Sequence, residues 1–270
     1  VNIILDLLLI LVIPLGVLGA AIATLIAQAV SAVLVTVTLM YRTEGMKLCL
    51  SQIRMYKRML QSILKIGLPA GFEAIMYSIS NIIVQASINN FGVDTMAAWT
   101  AYSKIDFIFW MINSAFGISV MTFVGQNYGA GKWDRIRRGT KICLGMALIS
   151  AVSVSIILMS AERFLFGIFV NDAGVVEIGI HMMNVIAPAY LLFAFIEVFS
   201  GALRAQGAVV VSTLITMVGI CVLRMIWVTL VAAHGTLEQV IICYPITWAA
   251  GALAMSIYYI YKQRKIFQAR

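Results

Sequence analysis

The sequence predicts an all-α polytopic membrane protein. Hydrophobic residues make up 62% of the 270 positions and charged residues 11%, and the mean hydropathy is +1.00. Soluble domains carry about 25% charged residues, so this composition excludes an ordinary soluble enzyme and a disordered chain. A helix needs about 20 largely apolar residues to cross a bilayer. Seven stretches of the chain have that length: 18–41, 66–90, 96–124, 142–161, 178–203, 208–233 and 239–261.

The segment before the first span is typical of a helix that has been cut. Asn2 to Ile13 is apolar but only half a span long, and Pro14 and Gly16 then turn the chain. The sequence begins at Val1 rather than Met, and it shows neither the basic start nor the cleavage site of a signal peptide. We therefore expect a fragment of a larger protein.

The basic residues alternate between the loops and predict the topology. Sixteen of the nineteen lie in 42–65, in 125–141, at Arg204 or in the tail 262–270, whereas Arg163 stands alone on the other side. Positive loops face the cytoplasm, so these segments, including the C-terminus, are predicted to lie inside a multi-pass cell membrane protein. The net charge of +8 then reflects topology and anionic lipid, and no nucleic-acid partner is needed.

The connection 42–65 is predicted to contain a basic amphipathic helix that lies on the membrane surface and links two bundles. A calmodulin-type target is the alternative for such a segment. Its apolar residues recur at helical spacing, at Ile53, Tyr56, Leu60, Ile63 and Leu64, opposite Arg54, Lys57 and Arg58.

An internal repeat relates the two ends of the chain. Ile4–Leu7 aligns with Val222–Met225, 218 residues later, and each copy continues with a turn glycine, Gly16 or Gly235, and an apolar span. Both copies run outwards and then back, so the repeat is parallel and each unit has an even number of helices. The second unit, 66–261, has six. If the first also has six, residues 1–41 are its last two and about four helices are missing in front of Val1.

Six ionisable residues are predicted at membrane depth, where each is costly and therefore a functional candidate. Asp6 has Asn2 one helical turn before it, and Thr24 lies on the next span. These three oxygen-bearing side chains can bind a small cation or a proton, or they can form an interhelical hydrogen-bond cluster. The others are Glu73, Lys104, Asp106, Glu197 and Arg224.

A polar stripe on the second span indicates a substrate pathway. Tyr77, Asn81 and Gln85 continue the face of Glu73 at helical spacing, where a lipid-facing helix would have no polar residues. Glu197 follows Pro188, which is expected to kink its span, and can face the same central cavity. Asp106 is a further pathway candidate.

Two basic residues lie within spans and are interpreted as ion-pair or gating residues. Lys104 lies in the outer half of its span, where it can reach the surface or pair with a neighbour. It stands two positions before Asp106, so the two side chains do not face each other and each needs another partner. Arg224 is expected to neutralise an acidic residue on a neighbouring helix.

No catalytic or metal-binding constellation is recognised, so the sequence predicts neither an enzyme nor a cofactor. There is no Ser/His/Asp grouping and no HExxH motif, and the histidines His181 and His234 are isolated. Na⁺ at Asp6 is the one metal ion that the sequence suggests. The four cysteines show no CxxC spacing and are interpreted as small apolar residues: Cys49, Cys143, Cys221 and Cys243.

Three motifs together resemble the MATE (multidrug and toxic compound extrusion) transporters. Asn2–Asp6 with Gly16–Thr24 resembles the family's fifth and sixth helices. Ile66–Pro69 resembles the opening of the seventh helix, and Val124–Lys132 the cytoplasmic end of the eighth. The resemblance covers the whole chain and implies a two-lobe helical bundle. The chain would then hold the end of the N-lobe (1–41), an interlobe linker (42–65), a six-helix C-lobe (66–261) and a basic tail (262–270).

The resemblance also implies a function. Family members are antiporters that expel organic, often cationic, drugs in exchange for Na⁺ or H⁺ by rocking two lobes about a central cavity. Asn2, Asp6 and Thr24 match three cation-site residues of the family's N-lobe in type and spacing. The partners implied are the lipid bilayer, a small organic substrate and the missing N-terminal helices. A lipid-linked glycan flippase of related architecture and a non-transporting structural subunit are the alternatives.

Overall fold

The computed structural model describes residues 1–41, 47–231 and 235–268. Within these residues there are no strands, and seven helices are long and apolar enough to cross a membrane. The prediction of seven spans is thus confirmed. Arg42 and Arg270, which belong to the basic segments used to predict the topology, and the isolated His234 lie outside the described part. The seven helices cover Gly16–Tyr41, Lys57–Asn89, Val93–Gly129, Trp133–Ser160, Ala173–Ala205, Val209–Val231 and Leu237–Ile266.

The chain divides into two compact units, Val1–Gln61 and Ser62–Arg270. In the first unit, a short helix α1 (Asn2–Asp6) continues as a π-helix, Leu7–Val12, before the long helix α2 (Gly16–Tyr41). Gly16 has a φ of +54°, which a glycine adopts without strain, and the chain reverses there. A Cβ atom at Gly19 would lie 2.8 Å from the carbonyl oxygen of Leu9, so this glycine lets the two segments pack closely.

The sequence predicts a surface helix in the linker that includes Ile53 and Tyr56, and this part of the prediction is wrong. After a 3₁₀ turn at Leu50–Gln52, residues 53–56 are not helical, and helix α3 runs without interruption from Lys57 to Asn89. The second half of the predicted surface helix is therefore the first part of the membrane-spanning helix. Pro69 lies inside α3 and removes one backbone donor without ending it. Continuation is favoured because a break at this depth would leave further backbone groups unpaired in lipid.

The second unit continues with a bundle whose helices are connected by short turns. Its long helices are α4 (Val93–Gly129) and α5 (Trp133–Ser160), followed by the short α6 (Glu162–Gly167). The remaining elements are α7 (Ala173–Ile186), a 3₁₀ turn (Ala187–Ala189), α8 (Tyr190–Ala205), α9 (Val209–Thr216), a π-helix (Met217–Val222), α10 (Leu223–Ile226), a second π-helix (Trp227–Val231), α11 (Leu237–Ile241) and α12 (Cys243–Gln268).

The expected break at Pro188 is confirmed, since the 3₁₀ turn Ala187–Ala189 separates α7 from α8. A proline in this position removes a helical hydrogen bond and tightens the last turn. Aromatic side chains from α4, α8 and α12 fill the core around the break. The rings of Phe109 and Tyr190 stack with their centroids 3.9 Å apart, and Trp248 is almost completely buried beside them.

Both ends of the chain show the same order of elements. Asp6 ends α1 directly before the π-helix Leu7–Val12, and Arg224 lies in α10 directly before the π-helix Trp227–Val231. A long helix follows in each copy, α2 directly after the turn at Gly16 and α12 after the short α11. This order supports the internal repeat, and it places an ionisable residue next to a π-helix in each copy. Such π-helical segments occur frequently at functional sites.

Helices α4 and α8 cross closely at two glycines. A Cβ atom at Gly201 would lie 2.7 Å from the carbonyl oxygen of Gly117, and a Cβ atom at Gly117 would overlap the carboxylate of Glu197. Only glycine fits at either position without moving backbone or carboxylate. This contact fixes the distance between the two helices that carry Glu197 and Asp106.

We expect Gly201→Ala to lower the free energy of unfolding by about 1–3 kcal/mol, because the added methyl group forces two backbones apart. Gly125→Ala on α4 is the control, since nothing lies within 4 Å of a Cβ atom there. Denaturant unfolding of the detergent-solubilised protein measures the free energy of unfolding of each variant. Equal stability of the two variants would contradict the close crossing.

Candidate functional site

A cavity of about 280 Å³, called here the Glu73 cavity, opens between α3, α4 and α8 in the second unit. Helix α8 contributes Glu197, Ser200, Gly201 and Arg204, which share one face because they are spaced by three or four residues. The other polar residues come from α3 and α9. The remaining lining residues are Glu73, Tyr77, Gly117, Ile118, Met121, Phe193, Ile196 and Thr216.

Glu73 and Arg204 form an ion pair in this cavity. Nη2 of Arg204 donates to both carboxylate oxygens of Glu73 at 2.7 Å, and the hydroxyl of Thr213 donates to Oε2 at 3.0 Å. The side chains are only 14% and 29% exposed, for Glu73 and Arg204 respectively. A carboxylate at membrane depth needs such compensation, because leaving it unpaired costs several kcal/mol. The pair therefore ties α3, α8 and α9 together.

Glu197 lies in the same cavity and has no such partner. Among the described residues it forms no hydrogen bond and no ion pair within 4 Å, although it is only partly exposed. Its carboxyl group lies against Gly117, and about two helical turns separate it from Arg204 along α8. The cavity thus contains two carboxylates and one guanidinium, so it holds one acidic group more than it holds basic groups.

A second cavity, of about 460 Å³, is called here the Asp106 cavity. Asp106 accepts a hydrogen bond from the hydroxyl of Tyr190 and another, of 2.6 Å, from Nε1 of Trp110. The hydroxyl of Tyr190 also lies 3.2 Å from that of Tyr102. As predicted, Asp106 finds its partners away from Lys104. The other lining residues are mostly aromatic or amide: Tyr77, Asn81, Gln85, Trp99, Ser103, Phe107, Ile186, Tyr244 and Trp248.

The expectation that Arg224 pairs with an acidic residue is wrong. The side chain is fully buried, and Nη1 donates to Oδ1 of Asn81 at 3.3 Å. The guanidinium lies 4.2 Å from the ring centroid of Tyr244 and 5.8 Å from that of Tyr77. No described carboxylate comes within 4 Å of it. Cation–π contacts and an amide oxygen stabilise this cation in place of a carboxylate.

The structure places all six predicted pathway residues in these two cavities. Glu73 and Glu197 line the Glu73 cavity, and Asn81, Gln85 and Asp106 line the Asp106 cavity. Tyr77 lines both, and its buried hydroxyl has no hydrogen-bond partner in the described part of the chain. The polar stripe on α3 therefore runs along two neighbouring cavities.

Lys104 lines neither of these two cavities. Its side chain is exposed, and it lines a neighbouring pocket with Gln85, Trp99 and Phe107, which also line the Asp106 cavity. No described carboxylate lies within 4 Å of its ammonium group. The expected ion pair is thus not formed, whereas an exposed position agrees with the alternative of a side chain that reaches the surface.

The first unit brings two of the three predicted cation-site residues, Asn2 and Thr24, into contact. Nδ2 of Asn2 donates to the hydroxyl oxygen of Thr24 at 3.5 Å, across the turn between α1 and α2. Oδ1 of Asp6 is buried, and no described group donates a hydrogen bond to it. An unpaired buried carboxylate oxygen suits a proton or a small cation. No cluster of three or more His, Cys, Asp or Glu residues that could hold a metal ion occurs among the described residues.

Sequence reasoning missed Arg204, Thr213, Tyr190 and Trp110. Because Arg204 stands at the end of its predicted span, the sequence indicates only a charge in a predicted cytoplasmic loop. The one signal for the pair is that Glu73 begins the polar stripe near the end of its own span that is also predicted to be cytoplasmic. For Tyr190 and Trp110 the sequence offers no signal, since aromatic residues are common in such spans.

Comparison with known proteins places these cavities in a family context. The profile of the MatE family matches residues 69–230, which is more than half of the chain. The chain is 26% identical over 260 residues to "Probable multidrug resistance protein YoeA" of Bacillus subtilis, covering 93% of this chain and 56% of that protein. It is 25% identical over 245 residues to "Multidrug export protein MepA" of Staphylococcus saprophyticus, covering 86% and 54%.

A solved structure gives the same fold. It is described as the outward-facing conformation of a multidrug resistance MATE family transporter of the MOP superfamily, and it superposes with a TM-score of 0.90 at 19% identity. The match covers 99% of this chain and 60% of that chain. The chain therefore spans somewhat more than half the length of the proteins it matches.

We expect a double-mutant cycle with Glu73→Gln and Arg204→Gln to give a coupling energy of about 1–3 kcal/mol in equilibrium unfolding, because each single variant leaves one charge unpaired. The matched control is Arg163 and Glu177, whose side chains are 75% and 56% exposed and whose N–O distance is 2.6 Å. That surface pair should couple by less than about 1 kcal/mol. A coupling at Glu73 and Arg204 no larger than the control would refute the buried pair.

Proposed function

The chain belongs to the MatE family, a family of transporters rather than enzymes, and from this premise we propose that it is part of an antiporter that exports small organic, mainly cationic, compounds in exchange for Na⁺ or H⁺. The relatives bear names of multidrug resistance and multidrug export proteins. The observation that carries the proposal is the group of carboxylates that face cavities inside membrane-spanning helices. A passive membrane subunit gains nothing from such costly groups.

Coupling to an ion requires a group that binds the ion in one conformation better than in the other. Asp6 suits this role, because one of its carboxylate oxygens is buried and receives no hydrogen bond from any described residue. Asn2, one helical turn before it, donates to the hydroxyl of Thr24 on the next helix. Na⁺ or H⁺ would neutralise Asp6, and its release would favour the alternative conformation. Ion binding and substrate binding are then linked through one conformational equilibrium, which is alternating access.

The substrate would occupy the polar cavities of the second unit. The Glu73 cavity has one carboxyl group, that of Glu197, without a partner among the described residues, and the Asp106 cavity has aromatic walls and a further carboxyl group. Aromatic faces and carboxylates together favour flat organic cations. Because the matches cover only 56% and 54% of the two relatives, the remaining helices of the whole protein would enclose the other side of the pathway.

The orientation follows from the charge distribution. Segments 42–65 and 125–141 and the C-terminus would lie in the cytoplasm of a cell whose plasma membrane the protein crosses. Glu73, Arg204 and Thr213 would then lie near the cytoplasmic side, and Asp106 nearer the outer side. The two cavities would follow one another along the direction of export.

We expect vesicles that contain the complete protein to export a fluorescent cationic dye when a Na⁺ or a pH gradient is imposed separately, and only one of the two gradients to drive export. Asp6→Asn should abolish the gradient-driven part at unchanged protein level, because a neutral amide can neither take up a proton nor neutralise the charge of Na⁺. Asp134→Asn is the matched control, since Asp134 is an exposed acidic residue at the start of α5.

Two outcomes would contradict the proposal. A rate of dye export that is indifferent to both gradients would refute ion coupling. Undiminished gradient-driven export by the Asp6→Asn variant would remove Asp6 from the mechanism while leaving the transport function in place.

A further inference from the structure

A third cavity lies away from the predicted transport pathway, at the end of the bundle that carries the basic loops. It has a volume of about 470 Å³ and lies between the beginning of α5 and the end of α12. We call it the basic cavity. Its lining residues are Arg137, Lys141, Tyr259, Ile260, Gln263, Arg264 and Gln268.

The basic cavity is suited to a phosphate group. Three of its seven lining residues are cationic and none is acidic. The Tyr259 side chain is 8% exposed, and its buried hydroxyl has no hydrogen-bond partner among the described residues. Gln263 donates its amide to Oε1 of Gln206 at 2.9 Å, and the ammonium group of Lys262 donates to the Gln206 carbonyl oxygen at 3.0 Å. These bonds fix the end of α12 and hold this side of the cavity in place.

Apolar surface continues from the cavity towards the membrane interior on both helices. On α5, Gly145 and Ile149 follow Lys141 at spacings of four residues and therefore share its face. On α12, residues 260, 257 and 253 precede Arg264 on one face in the same way. The apolar side chains of these two faces are strongly exposed: Ile149 70%, Leu253 64%, Ile257 59% and Ile260 50%.

We propose that the basic cavity binds the phosphate headgroup of an anionic membrane lipid, whose acyl chains lie along the apolar faces of α5 and α12. A cationic pocket between membrane helices on the cytoplasmic side is typical of such sites. A free phosphate would use the basic residues but would gain nothing from the apolar faces beneath them. The site involves none of the residues assigned to ion coupling or to the substrate pathway, so it does not depend on the proposed function.

The test is lipid retention by the purified complete protein in mild detergent, measured by native mass spectrometry with added phosphatidylglycerol or chain-matched phosphatidylcholine. We expect phosphatidylglycerol to bind preferentially. The combined variant Arg137→Gln, Lys141→Gln, Arg264→Gln should weaken its binding about tenfold or more, because each cation near the surface contributes to the attraction. The control Arg135→Gln, Arg138→Gln, Lys265→Gln removes the same charge from exposed neighbours that do not line the cavity.

The outcomes separate this site from the alternatives. The site is supported if the control variant still binds phosphatidylglycerol and if a variant with Arg137→Lys and Arg264→Lys, in which Lys141 is kept, binds it as well. Binding by these variants also shows that the protein is folded. Equal loss in both triple variants would mean that net charge alone attracts lipid and would overturn the proposal. So would equal binding of phosphatidylcholine. Competition by glycerol phosphate as strong as that by the lipid would assign the cavity to a soluble phosphate.

Discussion

A charged side chain is costly inside a membrane, and in the second unit the ion pair between Glu73 and Arg204 offsets this cost for both of its members. The two side chains connect α3 with α8, and Thr213 adds α9 through a third hydrogen bond. The pair fixes the cavity in which Glu197 has no hydrogen-bond or ion-pair partner among the described residues, and the close crossing at Gly117 and Gly201 sets the position of that side chain. One cavity thus holds a neutralised ion pair and a carboxyl group without a described partner, which is the arrangement that the proposed binding of a cation requires.

Two further ionisable side chains, Arg224 and Asp106, are stabilised by aromatic and amide groups and form no ion pair with a described residue. Arg224 lies against the rings of Tyr244 and Tyr77 and binds the amide oxygen of Asn81, and Asp106 accepts hydrogen bonds from Tyr190 and Trp110. Aromatic side chains therefore have two roles here, since they fill the core and also compensate for charge. Because Asp106 forms no ion pair with a described residue, the Asp106 cavity combines aromatic walls with a carboxyl group that a cationic ligand can approach.

Much of this arrangement could be predicted from the sequence, because it depends on local periodicity. Span number, the break at Pro188 and the polar face of Glu73, Tyr77 and Asn81 follow from hydropathy and helical spacing. The partners of Arg204 and Arg224 could not be predicted, since they depend on how deeply α3, α8 and α10 sit against one another. The linker prediction failed for a similar reason: its periodicity is that of a helix, but whether this helix lies on the membrane or continues into α3 is decided by backbone hydrogen bonding in lipid.

The central claim is that the cavities of the second unit are lined by polar residues because water and substrate enter them. Cysteine accessibility in membranes tests this most directly, after Cys49, Cys143, Cys221 and Cys243 have been replaced by serine. Met121 lines the Glu73 cavity and is 42% exposed, whereas Val218 is 59% exposed and lines neither cavity. We predict that Met121→Cys reacts with a charged, water-soluble thiol reagent and is protected by an exported cation, and that Val218→Cys does not react. Reaction at Val218→Cys but not at Met121→Cys would contradict the account.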